Sequence, residues 1–152
     1  MAKQTISRDI PLSEITLRRY EKPIGLSERD LLRKLCLSIG LLQTGDSRDV
    51  VVDVLQVLLR ARAEKKLLDV PTLLQQVIAL RTQYGLPLKG VAPSNVRRQL
   101  KRLRELFLAE KRGTSYRITE FESLSILFDQ KIKSLYLNNI VQRVDEYFRA
   151  IP

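Results

Sequence analysis

The sequence predicts a mainly α-helical protein that carries one small β-hairpin. Apolar residues recur at three- and four-residue spacings over 27–42 and again over 121–151, the pattern of helices that bury one face. Between these regions, residues 93–119 combine a short amphipathic basic helix with a tight-turn composition at 112–115, which separates two short strand candidates. With 152 residues the chain can bury one core, so we expect one domain with extensions.

The positive charge of the chain is concentrated in the basic stretch. The formal net charge is +10, and residues 93–117 carry +6 of it, because they contain eight Lys or Arg against two acidic residues. Lys and Arg side chains that neutralise phosphates release condensed counterions, so focused positive charge favours a polyanionic partner. A solvated basic face is the alternative that charge alone leaves open.

The N-terminal region, residues 1–46, is predicted to be an arm followed by one helix. Pro23 and Gly25 interrupt the chain, and Ser27 is a suitable N-cap for a helix over 27–43. The arm itself carries no pattern that indicates a function.

Cysteine content and hydropathy indicate the compartment. The single cysteine, Cys36, excludes an intrachain disulfide and is expected to be a buried apolar residue. Residues 1–8 have no apolar signal-peptide core, and no apolar run reaches the roughly 18 residues that cross a bilayer. We therefore expect a cytoplasmic protein.

The central region, residues 47–119, is predicted to begin with two helices. The first runs from Ser47 to about Lys66, because its length and charged tail outweigh the strand preference of its many valines. The second runs from Val70 to about Tyr84, with Asp69 as its N-cap and a proline near its first position.

The third helix of this region is the basic one, predicted over 94–107 with Ser94 as its N-cap. Val96, Leu100, Leu103 and Phe107 recur at spacings of four, three and four, so they form one stripe that faces a core. The opposite side therefore presents the arginines and lysine to solvent.

These residues resemble a known family. The run Gly90-Val-Ala-Pro-Ser-Asn-Val96, followed by Leu100, Leu103 and Leu106, is similar to the turn and recognition helix of winged helix-turn-helix transcriptional regulators. The run Tyr116-Arg-Ile-Thr-Glu120 resembles the strand that returns from their wing. The resemblance implies a winged helix-turn-helix core with a small β-hairpin wing, flanked by an N-terminal helix and a long C-terminal helix or helical hairpin.

The C-terminal region, residues 120–152, is predicted to be helical. The run Thr119-Glu-Phe-Glu122 has the capping-box pattern, and Asn138-Asn139 leaves open a break that would make a helical hairpin. The resemblance implies that this added helix forms a homodimer seam. Packing back onto the helix at 27–43 within one chain is the alternative.

The composition argues against an enzyme and against bound cofactors or metals. The chain has no histidine, which excludes His-based nucleophilic arrangements and His metal ligands, and one cysteine cannot make a thiolate zinc site. The pairs Asp46 with Asp49 and Asp145 with Glu146 are interpreted as caps or solvated surface. The nucleotide-binding patterns GxxxxGK[ST] and GxGxxG do not occur. We therefore expect a binding protein and rank a metal-dependent nuclease last among the hypotheses for this chain.

The predicted contacts follow from the geometry of a helix in the major groove, which is about 12 Å wide. Asn95, Arg98 and Arg102 are predicted to read base edges, and Ser94 with the free N–H groups beside it to meet phosphate. The remaining predicted DNA-binding residues, which contact the backbone from the helix flank and the wing, are Arg97, Lys101, Lys111, Arg112 and Arg117. Glu105 would repel phosphate and so limits the contact.

The leading hypothesis is sequence-specific binding of double-stranded DNA by a homodimeric winged-helix transcriptional regulator. The recognition helix 94–107 would lie in the major groove, and the wing 111–117 on the backbone. The alternative is a winged-helix module for protein–protein interaction, an adaptor within a larger assembly whose apolar stripes at 27–42 and 121–151 dock another protein.

Overall fold

The computed structural model describes residues 9–152, so the prediction about a signal peptide at residues 1–8 lies outside the described part of the chain. The protein is mainly helical, with a small three-stranded antiparallel sheet and a long C-terminal helix. In chain order the elements are α1 (Glu28–Ser38), α2 (Val50–Ala63), β1 (Leu68–Asp69), α3 (Val70–Gln83), α4 (Pro93–Glu105), β2 (Ala109–Arg112), β3 (Ser115–Ile118), a 3-10 turn (Thr119–Phe121), α5 (Leu124–Leu127), a π-helical segment (Phe128–Leu137) and α6 (Asn138–Ala150).

Helix α1 begins as predicted but ends earlier. The Ser27 side chain accepts a hydrogen bond from the backbone N–H of Asp30, and acidic residues in the first turn complement the helix dipole. The helix stops at Ser38, where Gly40 adopts a φ of +78°. The chain then turns, and the N–H groups of Leu41 and Leu42 both donate to the carbonyl of Cys36. The predicted extension to residue 43 was wrong because this turn replaces the last helical turn.

Helix α2 is the centre of the core. Residues 50–58 are all buried, and α1, α3, α4 and β3 pack around them. The valine-rich segment is therefore helical, as its length predicted, and it is buried on every side rather than on one stripe.

Helix α3 begins at the predicted cap, since the Asp69 carboxylate accepts a hydrogen bond from the N–H of Thr72. Leu68 and Asp69 also form β1, which pairs with Tyr116 and Ser115 of β3, so the sheet order is β1-β3-β2. The sequence did not predict this strand, because two residues are too short to show an alternating pattern.

Helix α4 begins one residue earlier than predicted and ends two residues earlier. Ala92 occupies the N-cap position without a side-chain cap, so Ser94 lies inside the first turn and is not the N-cap. At the other end, Phe107 adopts a φ of +63°, and the N–H groups of Phe107 and Leu108 close the helix on the carbonyls of Arg104 and Leu103.

Phe107 stands where glycine is usual, because such a positive φ is strained for other residues. Its ring packs edge-on against Tyr136, with the ring centroids 5.5 Å apart and the planes at 71°. This contact joins the end of α4 to the C-terminal helix. Phe107 therefore leaves the helical stripe predicted for it and becomes a tertiary anchor.

The C-terminal helix does not start at the predicted capping box. The Thr119 hydroxyl donates to the carbonyl of Phe107, and Glu120 has a φ of +54°, which is not helical. Ser123 is the cap instead, and accepts from the N–H of Ile126. The backbone then stays right-handed helical through Leu127 and Leu137, so α5, the π-helical segment and α6 form one helix without a break at Asn138.

Candidate nucleic-acid interface

Helix α4 is held from behind by the apolar stripe that the sequence predicted. Val96, Leu100 and Leu103 are fully buried against the core. Because no side chain of the described residues caps the helix, the N–H groups of its first turn remain free beside the exposed Ser94. Such a helix end favours an anion, through these N–H groups and the helix dipole.

One flank of α4 faces the β-hairpin, and we call it the hairpin-side flank. It consists of Arg97, Lys101 and Arg104, which recur at spacings of four and three along the helix. All three are exposed, and none has an ion pair or side-chain hydrogen bond within residues 9–152. Their charges are therefore not neutralised within the described part of the chain.

Two clefts run between this flank and the hairpin, and Lys111 of β2 lines both. The first, of about 350 Å³, contains Arg97 and Thr114 and reaches the start of α3. The second, of about 440 Å³, contains Lys101 and Arg104. Lys111 is exposed and lies 5.8 Å from the centroid of the Tyr116 ring. Helix and strand thus form the two walls of one basic groove.

Two of the predicted DNA-binding residues, Arg98 and Arg112, lie outside this groove. Arg98 lies on the side of α4 opposite the buried stripe, and it is exposed. Arg112 ends β2 directly before the two-residue turn Gly113-Thr114, where Gly113 has a φ of +61°, and it is exposed as well. Both side chains extend the basic surface beyond the groove.

The other flank of α4 faces the end of α1, and we call it the α1-side flank. It consists of Asn95, Gln99 and Arg102, whose side chains form a chain of hydrogen bonds. Asn95 donates to the carbonyl of Gly90 at 2.7 Å and accepts from Gln99 at 3.0 Å. Arg102 donates to Gln99 at 2.9 Å and to the carbonyl of Leu41 at 2.7 Å.

This arrangement changes the predicted set of base-reading residues. Asn95 and Arg102 use their polar atoms to hold the turn before α4 and the turn after α1. Reading a base would require each of them to give up intramolecular hydrogen bonds. We therefore keep Arg98 as a base-reading candidate and remove Asn95 and Arg102.

Arg117 is also engaged within the fold. Its guanidinium pairs with Glu110, with nitrogen–oxygen distances of 3.0 and 3.1 Å, and lies 4.6 Å from the centroid of the Phe121 ring. The side chain therefore stiffens the base of the hairpin and is not free for a phosphate.

Arg104 is the basic residue that the sequence interpretation left out. It continues the four-and-three spacing of Arg97 and Lys101, which is the same periodicity that identified the buried stripe. Applying that periodicity to the charged residues would have included it.

A buried ion cluster fixes the position of the turn before α4. Arg81 of α3 pairs with Asp53 at 2.6 Å and with Asp49 at 3.0 Å, and its Nε donates to the carbonyl of Pro87 at 2.8 Å. Arg29 of α1 also pairs with both aspartates. The cluster thus ties α1, α2 and α3 to the segment that leads into α4.

The charged neighbours in this cluster shift the pKa of Asp49. Burial alone would raise the pKa of Asp49, but the hydrogen bond from Arg81 and the charge of Arg29 outweigh it, so the pKa lies below its ordinary value. Asp49 occupies the N-cap position of α2, as the sequence interpretation allowed, but its side chain makes no cap hydrogen bond, and the carboxylate belongs to this network instead.

Two further observations concern the cysteine and the possible metal ligands among the described residues. Burial raises the pKa of the Cys36 thiol to about 12, which makes it a poor nucleophile. Within residues 9–152, His, Cys, Asp and Glu form no group of three or more that could hold a metal ion. The described helices include none with the length and apolarity to cross a membrane.

The basic surface of α4 and the hairpin is therefore the candidate site, and its interpretation depends on its own geometry. Comparison with family models, with curated proteins and with solved structures gives no match for this chain.

Proposed function

We propose that this protein is a winged-helix transcriptional regulator that binds double-stranded DNA as a homodimer. Helix α4 would lie in the major groove and the hairpin β2–β3 on the phosphate backbone. The observation that carries the proposal is the set of basic side chains on the hairpin-side flank, which is exposed and has no internal partner among the described residues.

The first support is the chemistry of that set. Among the described residues, the groove is lined by four cations, Arg97, Lys101, Arg104 and Lys111, and by the carboxylates of Asp69, Glu105 and Glu110. Glu110 is paired with Arg117, and Asp69 caps α3, so both of these negative charges are already engaged. Repeated negative charges at regular spacing, as in a nucleic-acid backbone, match such a surface.

The second support is the shape of the surface. An α-helix whose N-terminal half is exposed fits a major groove about 12 Å wide, and base edges are met by residues near that end. Ser94 and Arg98 lie there and are exposed. Arg98 can donate two hydrogen bonds to a guanine, while Ser94 and the free N–H groups suit a phosphate.

The third support is the order of the elements. Helices α3 and α4 are joined by the nine-residue segment 84–92, and the basic helix is followed directly by a hairpin. A basic helix followed by a hairpin is the arrangement implied by the family resemblance. Strand β1 pairs with β3 and so attaches the hairpin to the start of α3. The proposed DNA-binding residues are Ser94, Arg97, Arg98, Lys101, Arg104, Lys111 and Arg112.

The test is a titration of a fluorescently labelled duplex, followed by anisotropy at salt concentrations from about 50 to 200 mM. With five or six cations at phosphates, log K should fall against log salt with a slope of about −4.5 to −5.4. Absence of binding, or a flat dependence on salt, would overturn the proposal and leave the adaptor hypothesis. A single-stranded oligonucleotide of the same sequence is the control, and it should bind more weakly.

A further inference from the structure

A cavity of about 460 Å³ lies between the N-terminal arm, α1 and the C-terminal helix. Its wall also includes the joint between α4 and β2, so four segments that are distant along the chain enclose it. The apolar side chains that line the cavity include Leu17, Leu35, Ile39, Leu108, Phe128 and Ile132. Folded cores leave few voids larger than a water molecule, whereas small-molecule sites have volumes of about 300–1,000 Å³ and mainly apolar walls. The cavity therefore has the size and the lining of a ligand site.

The serine hydroxyls in the wall are already engaged. The Ser38 hydroxyl donates to the carbonyl of Leu35 at 2.7 Å, and the Ser125 hydroxyl lies 3.3 Å from that of Ser123. An ordered water in a cavity needs about two to four polar partners. Hydrocarbon therefore suits the interior of this cavity better than water does.

The C-terminal helix departs from α-helical geometry where it lines the cavity. Phe128 and Ile132 both belong to the π-helical segment Phe128–Leu137. Segments of π-helix are rare in proteins, and they occur frequently at functional sites. This observation is independent of the volume of the cavity and favours a ligand at the same place.

Arg18 adds a positive charge to the wall. Its guanidinium donates to the carbonyls of Leu37 and Leu42, at 2.7 and 3.0 Å, and to the side-chain oxygen of Gln43. These acceptors are uncharged, and Arg18 makes no ion pair within residues 9–152. Residues 1–8 contain no Asp or Glu. The chain therefore provides no carboxylate partner for this partly buried charge.

The guanidinium also has donor capacity left. An arginine donates through Nε as well as through both Nη atoms. The hydrogen bonds of Arg18 within residues 9–152 use Nη1 twice and Nη2 once, and none of them uses Nε. Such N–H groups form charge-assisted hydrogen bonds with carboxylate oxygens. An anionic group at the wall would therefore meet both a donor and an unneutralised charge.

We propose that the cavity binds a small carboxylic acid with an apolar tail. The tail fills the space between Leu35, Leu108 and Ile132, and the carboxylate accepts hydrogen bonds from Arg18. Since a cavity of about 150 Å³ holds one benzene molecule, this cavity has room for a tail of about ten to eighteen carbon atoms. The inference goes beyond the proposed function and does not depend on it.

The first measurement locates the ligand. The full chain with labelled methyl groups is titrated with decanoate, without DNA, and followed by ¹H–¹³C NMR. We expect saturable shift changes, and nuclear Overhauser effects to the decanoate tail, at the methyl groups of Leu35, Ile39, Leu108 and Ile132. The methyl groups of Leu55 in the core and of the exposed Ile151 should not change. No saturable change, or changes confined to exposed residues such as Ile151, would overturn the proposal.

The second measurement tests the charge of the ligand in the unaltered protein. Decanoate and decylammonium have the same chain length and opposite charges. Their affinities are compared at about 0.15 M salt, where screening limits the influence of distant charges to about 8 Å. We expect decanoate to bind at least about ten-fold more tightly, because only the carboxylate can accept from Arg18. Equal affinities would refute the assignment of an acid.

The third measurement tests Arg18 itself. Arg18→Met should weaken decanoate binding about 10- to 100-fold and leave the binding of decan-1-ol, which carries no charge, nearly unchanged. Arg19→Met is the matched control, because Arg19 is the next residue, is exposed and does not line the cavity. An equal loss of decanoate affinity in both variants would mean that net charge attracts the acid, against the proposal. If Arg18→Met loses both ligands, its cavity is damaged, and the comparison of decanoate with decylammonium decides.

The outcome is independent of DNA binding, because every titration is made without DNA. If decanoate binds in the cavity and no duplex binds, the proposed function fails and the acid site stands. If a duplex binds with the expected salt dependence and decanoate does not bind in the cavity, the acid site fails and the DNA-binding proposal stands.

Discussion

The two flanks of α4 contain similar residues and have opposite roles. Arg97, Lys101 and Arg104 on the hairpin side are exposed and have no internal partner among the described residues. Arg102 on the α1 side donates to one side-chain oxygen and two backbone carbonyls. An arginine on the surface of a basic helix is therefore not necessarily available to a ligand. What distinguishes the two flanks is the element that each one faces.

The α1-side flank faces carbonyl groups that need donors. Helix α1 ends at Ser38, and the carbonyls of Gly40 and Leu41 in the turn that follows have no helical partner. Arg102 reaches both of them, at 3.4 and 2.7 Å. On the hairpin side β3 pairs with one edge of β2, and the three cations of the flank make no side-chain hydrogen bond to a backbone carbonyl within residues 9–152. Its cations therefore remain available.

The largest effect is expected from neutralising the hairpin-side flank. The triple variant Arg97→Ala, Lys101→Ala, Arg104→Ala should lose about three phosphate contacts, which lowers the salt slope by about 2.7 and weakens duplex binding by about 500-fold at 0.1 M salt. Anisotropy titrations at several salt concentrations measure both quantities. Because these side chains make no ion pair or side-chain hydrogen bond within residues 9–152, the thermal unfolding midpoint should stay close to that of the wild type.

Lys133→Ala is the matched control for the single variant Lys101→Ala, because each change removes one positive charge. Lys133 is an exposed cation on the C-terminal helix, remote in sequence from the groove. Its removal should leave the salt slope unchanged. An equal loss in both proteins would mean that net charge, and not the hairpin-side flank, attracts the DNA.

On the α1 side the main effect should be on stability. Arg102→Met removes hydrogen bonds from a charged donor, which are worth about 1.5–3 kcal/mol in typical cases, and leaves the carbonyl of Leu41 with one donor fewer. Urea unfolding should show this loss of unfolding free energy. The salt slope of duplex binding should stay within error, and a fall by about one would return Arg102 to the set of phosphate contacts.

Substitution of Arg98 distinguishes base reading from backbone binding. Arg98→Ala should remove discrimination of about 1–3 kcal/mol between a preferred duplex and one with the contacted guanine replaced. A selection of binding sites from random duplexes, performed with both proteins, identifies the position that loses its preference. Equal weakening on all duplexes would place Arg98 on the backbone instead.

The smallest effect concerns pH. The pKa of Asp49 is lower in the folded protein than its ordinary value, so the unfolded chain binds more protons in that range. Its stabilising contribution is complete above the ordinary pKa and is lost as pH falls through the lowered folded value. Thermal unfolding between about pH 2 and 5 should therefore show a shallower pH dependence in Asp49→Asn than in the wild type.

Local signals in the sequence were sufficient for several elements. Ser27 and Asp69 cap their helices as predicted, since a side-chain oxygen before a helix needs only its own first turn to act. The stripe of Val96, Leu100 and Leu103 is buried for an equally local reason, namely the helical period.

Other elements depended on contacts distant in sequence, and there the predictions failed. Thr119 matches a capping box, but its hydroxyl donates a hydrogen bond to the carbonyl of Phe107. The helix begins later, with Ser123 as its N-cap. Strand β1 exists because β3, more than forty residues later, pairs with it. Neither partner can be recognised from the segment alone.

Periodicity, capping and composition act over a few neighbouring residues, so they were enough to predict the helices, the buried stripe of α4 and the concentration of positive charge around it. Which of those charges are available depends on contacts between segments that are distant along the chain. The end of α1 lies within hydrogen-bonding distance of Arg102, Glu110 lies beside Arg117, and Arg97 and Lys101 meet no acceptor among the described residues. A side chain's partners are set by distances in space, and these are not encoded in spacing along the chain.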